Sequence, residues 1–348
     1  MRQLNLGRSD LKVSELCLGS MTWGTQNTQK EGHTQIEMAL DYGVNFIDTA
    51  EMYPVNPVQA ETVGVTEAII GEWVAQSGRR NEVVIATKHS GLNERFVRPG
   101  QPITAATMHN SVEASLKRLK TDVIDLYQLH WPNRGSYHFR QIWDYDPSQQ
   151  NRAEIIDNIG DVLGAMKELQ ATGKVREFGL SNESAWGTMQ WLIEAEKLDA
   201  PRMQAIQNEY SLVCRQFDSD LAELSFNEDV TLLAFSPLAT GMLTGKYKGG
   251  TEIPKGSRRT YVENLGGRVT DLVWPAVQAY TEIAQKHGLD PSQMAIAWCM
   301  SRPFKTIPIF GAVTEKQLKL ALGSVDVALN DEVLADIIAA HRCHPMPF

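Results

Sequence analysis

The chain has 348 residues, 43% apolar and 22% charged, with a formal net charge of −9. That is an ordinary globular balance with enough apolar material for a large core. No block of Lys and Arg is present, which excludes a sequence-independent nucleic-acid footprint, because phosphate backbones are held by clustered cations.

Cys17, Cys214, Cys299 and Cys343 lie far apart without a CxxC pair, so buried free thiols are expected rather than a disulfide framework. The segment Met1–Asp10 lacks the apolar stretch of a signal peptide, and no apolar run approaches the ~18 residues of a membrane span. The expectation is a soluble, cytoplasmic protein with no membrane partner.

Taken in chain order, Gln3–Val13 with its turn at Gly7-Arg8-Ser9 predicts a hairpin able to plug a barrel floor. Strands follow at Leu16–Gly19, Phe46–Asp48, Val83–Lys88 and Ile124–His130. Four more fall at Arg176–Ser181, Ala205–Asn208, Thr231–Phe235 and Thr306–Phe310. Their near-continuous apolar character suits strands buried on both faces.

Helical periodicity occupies Glu31–Tyr42, Thr66–Val74, Ala105–Leu119, Ile155–Thr172, Ser184–Lys197 and Phe217–Phe226, then Val273–His287 and Ser292–Ser301. Repeated strand-then-helix units predict an α/β fold, a closed (β/α)8 TIM barrel. Pro54–Pro57, the aromatic-rich Asn133–Arg152 and the Gly-rich Gly241–Gly267 read as βα-loop insertions rather than linkers. One domain over 1–348 is therefore expected.

Barrel active sites assemble at the C-terminal ends of the strands. Those ends carry Asp48, Lys88, His130, Ser181-Asn182, Gln207 and Phe235-Ser236, with Tyr53 on the second βα loop. Singly, each has a structural reading as an ion pair, a satisfied core histidine or a packed ring. Together at successive strand ends, Asp48, Tyr53, Lys88 and His130 make a proton-donating group for carbonyl reduction.

A phenol titrates near ~10, and an ammonium at ~4 Å, at an effective dielectric of ~20, attracts its anion by ~4 kcal/mol before desolvation. The expectation is that Lys88 lowers the Tyr53 pKa while Asp48 keeps Lys88 charged. Neutral His130 would orient the substrate oxygen.

Ser181, Asn182 and Gln207 have donors and acceptors suited to a nicotinamide carboxamide, and Phe235 could stack on its ring. Ser236–Lys246, extended by Arg258 and Arg259, is a Gly-bearing loop whose N–H groups and cations suit a pyrophosphate. Gly311-Ala-Val-Thr-Glu opens a helix after the eighth strand, a recurrent phosphate position in barrels. No GxGxxG follows the first strand, and His341 and His344 lack partners at metal-site spacing, so neither a Rossmann unit nor a metal is expected.

Gly43-Val-Asn-Phe-Ile-Asp48-Thr-Ala-Glu-Met-Tyr53 resembles the first signature of the aldo-keto reductases. Asp125-Leu-Tyr-Gln-Leu-His130-Trp-Pro, Gly173-Lys-Val-Arg-Glu-Phe-Gly-Leu-Ser-Asn182 and Gln207-Asn-Glu-Tyr-Ser resemble three more. The loops after Tyr53 and His130 are most similar to the Tas-like bacterial subgroup, itself related to potassium-channel β subunits.

The resemblance implies NADPH-dependent reduction of a small aldehyde or ketone, with Asp48, Tyr53, Lys88 and His130 as the tetrad and Tyr53 as general acid. It implies that Ser20 and Met21 flank the nicotinamide, that Ser181, Asn182 and Gln207 bind its amide, and that Phe235 covers the ring. Ser236, Pro237, Leu238, Thr240, Gly241, Lys246 and Arg258 would hold the phosphates, with Gly311 and Gln317 at the adenosine end. The family pattern often has Glu-Asn where this chain has Leu320 and Ala321, and an arginine where it has Gln317. The preference for NADP over NAD then rests on Lys246 and Arg258. Two other functions compete: a Schiff-base aldolase using Lys88, and a nucleotide-sensing NADP-binding protein with slow turnover.

Overall fold

A computed structural model describes every residue of 1–348 except Arg95. A short antiparallel hairpin, β1 (Gln3–Asn5) and β2 (Lys12–Ser14), precedes the barrel, with Gln3 opposite Ser14. The barrel strands are β3 (Cys17–Gly19), β4 (Phe46–Asp48), β5 (Val84–His89), β6 (Ile124–Leu129), β7 (Val175–Ser181), β8 (Met203–Glu209), β9 (Thr231–Phe235) and β10 (Thr306–Phe310). All neighbours run parallel in sequence order, and β10 closes on β3, giving the expected (β/α)8 barrel.

The helices are α1 (Gln29–Asp41), α2 (Val65–Ser77), α3 (Ala105–Leu119), α4 (Arg152–Ala171), α5 (Ala185–Lys197), α6 (Asp220–Glu228), α7 (Val273–Lys286), α8 (Pro291–Met300), α9 (Glu315–Leu322) and α10 (Asp331–Cys343). Their starts follow from local chemistry. Thr28 and Glu31 form a reciprocal capping box at α1, and Asp290 caps α8 with Pro291 in its first turn. The predicted helix over Phe217–Phe226 divides at Ser219: a 3-10 turn over Gln216–Asp218 precedes α6. Ser219 itself has non-helical backbone angles.

Alternation along each strand sorts the core into two bodies. Outward residues such as Leu18, Ile47, Ile85, Tyr127, Leu180 and Ile206 pack against the helices in a continuous outer layer. Inward residues at the lower levels, including Cys17, Phe46, Val84, Ala86, Leu126, Ala205, Leu233 and Ile307, fill the barrel together with Leu6 and Val13 of the hairpin. The hairpin turn is tied to the floor by backbone. Gly7 N–H donates to Thr231 Oγ1 at 2.9 Å, and Lys305 Nζ donates to the Gly7 carbonyl at 3.0 Å. Gly7 has φ +56° and approaches Gln204 so closely that an added Cβ would lie 2.5 Å from its carbonyl oxygen.

Two loops that carry little regular structure cover the opposite end. The loop between β6 and α4 turns through left-handed Phe139 and Arg140. Arg140 Nη1 then reaches Glu209 at the end of β8 over 2.9 Å. The Gly-rich segment after β9 is a series of 3-10 turns, and its Arg268 Nε reaches the same Glu209 at 2.6 Å. One carboxylate thus ties both insertions to the barrel rim.

Candidate active site

The inward-facing levels change character toward the C-terminal strand ends. Above Phe46 stands Asp48, above Ala86 stands Lys88, above Leu126 stand Gln128 and His130, and above Ala205 stands Gln207. Inward side chains from β4, β5, β6 and β8 therefore meet.

Lys88 Nζ lies 2.6 Å from Asp48 Oδ2, donates to the Thr49 carbonyl at 2.7 Å and stands 3.5 Å from the Tyr53 hydroxyl. The second carboxylate oxygen of Asp48 accepts from Gln207 Nε2 at 2.8 Å and Gln128 Nε2 at 3.3 Å. Lys88 is fully buried and Asp48 nearly so. A buried pair is tolerated only when its remaining donors and acceptors are satisfied, and here two amides and a carbonyl do so. The His130 ring meets the Tyr53 ring edge-on with centroids 5.9 Å apart.

The electrostatics divide the group into one cation and two neutral hydrogen-bonding groups. Burial works against the Lys88 ammonium, but Asp48 and Tyr53 outweigh it and hold the pKa above its ordinary value. Burial, reinforced by Lys88, pushes the His130 imidazole well down, so the ring is neutral at physiological pH. The expectation for Tyr53 was a lowered pKa. Instead burial raises it, Lys88 lowers it, Asp48 raises it again, and the balance is upward. The phenol is thus held protonated, as a proton donor rather than a phenolate.

A second buried network, unmarked in the sequence reading, lies behind this group. Arg98 grips Glu51 with both nitrogens, at 2.8 and 2.6 Å, while Ser111 Oγ and the Ser90 N–H also donate to Glu51. Burial opposes the Glu51 charge, but these donors with His89 hold its carboxyl near pKa 2. Glu51 stands two residues before Tyr53, so the clamp fixes the loop that carries the phenol. Its signal in the sequence was a carboxylate inside the otherwise small and apolar Thr49-Ala-Glu-Met run. Gln128 was also passed over, although it shares inward parity with His130.

Around the Ser181–Gln207 corner, Ser181 Oγ donates to the Gln207 carbonyl at 2.8 Å, and Asn182 Nδ2 donates to the His130 carbonyl at 2.9 Å. Asn182 adopts φ +53°, and its Oδ1, like His130 Nδ1, is buried without a partner. Unpaired buried polar atoms are costly, and these suit a bound group that can hydrogen-bond, such as a carboxamide. Ser20 Oγ donates to the Asp48 carbonyl at 2.7 Å, beside Met21. Phe235 ends β9 half-buried at the same level.

The loop after Phe235 has left-handed Ser236, Ala239, Thr240 and Gly241, with Pro237 and Leu238 between them. A Cβ on Gly241 would lie 2.7 Å from Lys246 Nζ, so glycine lets this ammonium sit against the loop backbone. Arg258 Nη2 donates to Asn56 Oδ1 at 3.1 Å, and Nη1 lies 3.9 Å from Met21 Sδ. Among the described residues neither Lys246 nor Arg258 has a carboxylate within ion-pair distance. Burial lowers the Lys246 pKa. Burial and then Arg268 bring Arg258 down to about 10. Two desolvated cations without counter-anions beside a glycine loop fit a phosphate group. Arg259 is held instead by the carbonyls of Gly250 and Glu263.

Gly311 is exposed at the start of the turn into α9. Gln317 lies near it, but its Oε1 accepts from the Val313 and Thr314 N–H groups at 2.9 and 3.3 Å, completing the α9 capping box. Ala321 is buried in the outer core and Leu320 is half-buried.

A closed parallel barrel with its polar constellation at the C-terminal strand ends places the chain among the (β/α)8-barrel proteins. The sequence profile of the Aldo/keto reductase family matches residues 15–342, and the chain belongs to that family. It is 42% identical to Protein tas of Escherichia coli (strain K12), over 100% of this chain and 99% of that protein. It is 30% identical to the uncharacterized oxidoreductase YrpG of Bacillus subtilis (strain 168), over 96% and 94% of the two chains. Similarity also extends to a probable voltage-gated potassium channel subunit beta of Arabidopsis thaliana, at 31% identity over 94% and 92%. The chain is an oxidoreductase. No helix among the described residues is long and apolar enough to cross a membrane.

Proposed function

We propose that residues 1–348 act as one catalytic unit that reduces small aldehydes or ketones to alcohols with NADPH. The observation that carries this reading is the Tyr53 hydroxyl, held protonated 3.5 Å from an ammonium that is itself fixed by Asp48. When bound, the nicotinamide supplies a hydride to the carbonyl carbon. Tyr53 gives its proton to the carbonyl oxygen and is left as phenolate, which the adjacent Lys88 ammonium stabilises as it forms. The phenolate then regains its proton from solvent. Neutral His130 hydrogen-bonds the same oxygen and orients it.

Ser20, Met21, Ser181, Asn182 and Gln207 hold the nicotinamide end, with Phe235 on the ring. Ser236, Pro237, Leu238, Thr240, Gly241, Lys246 and Arg258 take the phosphates, and Gly311 and Gln317 border the adenosine. The raised Lys88 pKa speaks against a Schiff-base role, which needs a neutral amine. A nucleotide sensor with slow turnover is the second reading, motivated by the channel-subunit relative. Single-turnover oxidation of bound NADPH by an aldehyde panel separates it from an efficient reductase.

The test of the main reading is Tyr53→Phe. It is expected to lower kcat about 10²- to 10⁴-fold while leaving NADPH affinity unchanged by fluorescence titration. Reduction at a near-normal rate would remove Tyr53 from the role of acid.

A further inference from the structure

A cavity of about 930 Å³ opens beside the mouth described above and shares Ser181 with its cofactor corner. It sits between the loop after β6, the first two turns of α4 and the outer face of β6 and β7. Outward-facing Leu129 and Leu180 line it together with Ser181, whereas Tyr53, Lys88 and His130 do not. Its floor is apolar, with Ile103, Ile155, Ile159 and Trp191 joining the two leucines. The volume is that of small-molecule sites, roughly 300–1,000 Å³.

The rim supplies the charge. Two guanidiniums line the cavity, and both are already paired: Arg134 with Glu183 at 3.0 Å and Arg140 with Glu209 at 2.9 Å. Three rim carboxylates, Asp144, Asp146 and Glu154, have no cation within ion-pair distance among the described residues. Asp146 Oδ1 accepts the Ser148 N–H and Glu154 Oε1 accepts Asn151 Nδ2, both at 2.8 Å, and both residues are exposed. The α4 N-terminus, otherwise an anion site, is already capped, because Asn151 Oδ1 accepts from Ala153 and Glu154.

We infer that this cavity is a second ligand site, for an amine carrying an aryl or alkyl body. The body lies on the floor from Ile103 to Trp191, and the ammonium meets Asp144, Asp146 and Glu154. An anion would face three unpaired carboxylates, and a neutral analogue would leave them unanswered. The site does not rest on the reductase reading, because its lining includes no member of the tetrad and shares only Ser181 with the nicotinamide corner.

Calorimetric titration of the full chain with 4-phenylbutylamine, 4-phenylbutanol and 4-phenylbutyrate tests the inference. The amine is expected to bind about ten-fold more tightly than the alcohol, with the carboxylate weakest. The surface variant Asp144→Asn/Asp146→Asn/Glu154→Gln should abolish the amine's advantage, and Ile155→Trp, at a half-buried position, should weaken all three probes. Tyr53→Phe should bind the amine unchanged. Equal affinities for the three probes, an advantage that survives the charge-neutral variant, or loss of binding in Tyr53→Phe would each overturn it.

Discussion

The two ends of this barrel are built from the same strands by different rules. At the floor, inward positions are Cys17, Phe46, Val84, Ala86 and Leu126, sealed by Leu6 and Val13 of the hairpin. Two residues further along the same strands, the inward positions become Asp48, Lys88 and Gln128. Each floor contact adds hydrophobic burial, which is non-directional and tolerant of exchange. The contacts around Asp48 and Lys88 are satisfied charges and amides whose value depends on the partner still being there. The floor holds the barrel together, and the mouth holds a buried ion pair in place at the floor's expense.

The largest expected effect comes from splitting that pair. Asp48→Ala leaves the Lys88 ammonium buried without its anion and is expected to cost about 3–5 kcal/mol in urea unfolding, with carbonyl reduction lost. Adding Lys88→Met to Asp48→Ala should restore part of that stability without restoring activity. A double variant less stable than the single would show that the mouth follows the same additive rule as the floor.

Phe46→Ala tests the other end. It is fully buried two residues from Asp48 and is expected to cost about 3–5 kcal/mol through transfer and cavity terms. The kcat of the folded fraction should stay within about two-fold of the parent, because no polar partner is removed. A large fall in kcat at unchanged folded fraction would mean that floor packing sets the tetrad geometry directly.

Within the mouth, a smaller contrast separates paired from unpaired arginines. Arg98, Arg134, Arg140 and Arg268 each hold a carboxylate, whereas Arg258 holds an amide and a thioether. Arg258→Ala is expected to weaken NADPH about ten-fold or more, the worth of one charge-assisted contact, and NADH less. Equal losses for the two nucleotides would place Arg258 away from the 2′-phosphate.

The barrel and the tetrad positions were legible because their signals are local. Apolar runs of strand length mark the walls, and a polar residue at the end of such a run, as in Phe46-Ile-Asp48 or Val84–Lys88, marks the mouth. The two long insertions were not, because what shapes them is distant in sequence. Glu209 is claimed by Arg140 and Arg268, and Arg258 by Asn56, pairings that no periodicity encodes. Glu51 was hidden for the same reason, since its partner Arg98 lies in an irregular loop. Gln317 teaches the reverse: its side chain answers a purely local demand, the open N-terminus of α9. Helix α10 was missed although Asn330 and the acidic Asp331-Glu332 that follow it form a local start signal.

A pH dependence sharpens the same contrast. Burial depresses His89, His130 and His138 below the ordinary imidazole pKa; Lys88 adds to it at His130, and partners offset it in part at His89 and His138. A base whose folded pKa lies below its unfolded value contributes full stability above about pH 6.5, and that stability is lost as pH falls. Each such imidazole should add at most about 1.4 kcal/mol per pH unit to the slope below that point. Glu51, held near pKa 2, adds its own loss only below its unfolded value near 4.5. Between about pH 6.5 and 5, His341 of α10, also lowered by burial, adds to this slope, and Glu177 beside Gln204, raised by burial, opposes it at the acid end of the range. His130→Gln should reduce the slope by about one proton's worth in urea titrations at several pH values. An unchanged slope would mean that His130 is as readily protonated in the folded chain as in the unfolded one, contrary to its burial beside Lys88.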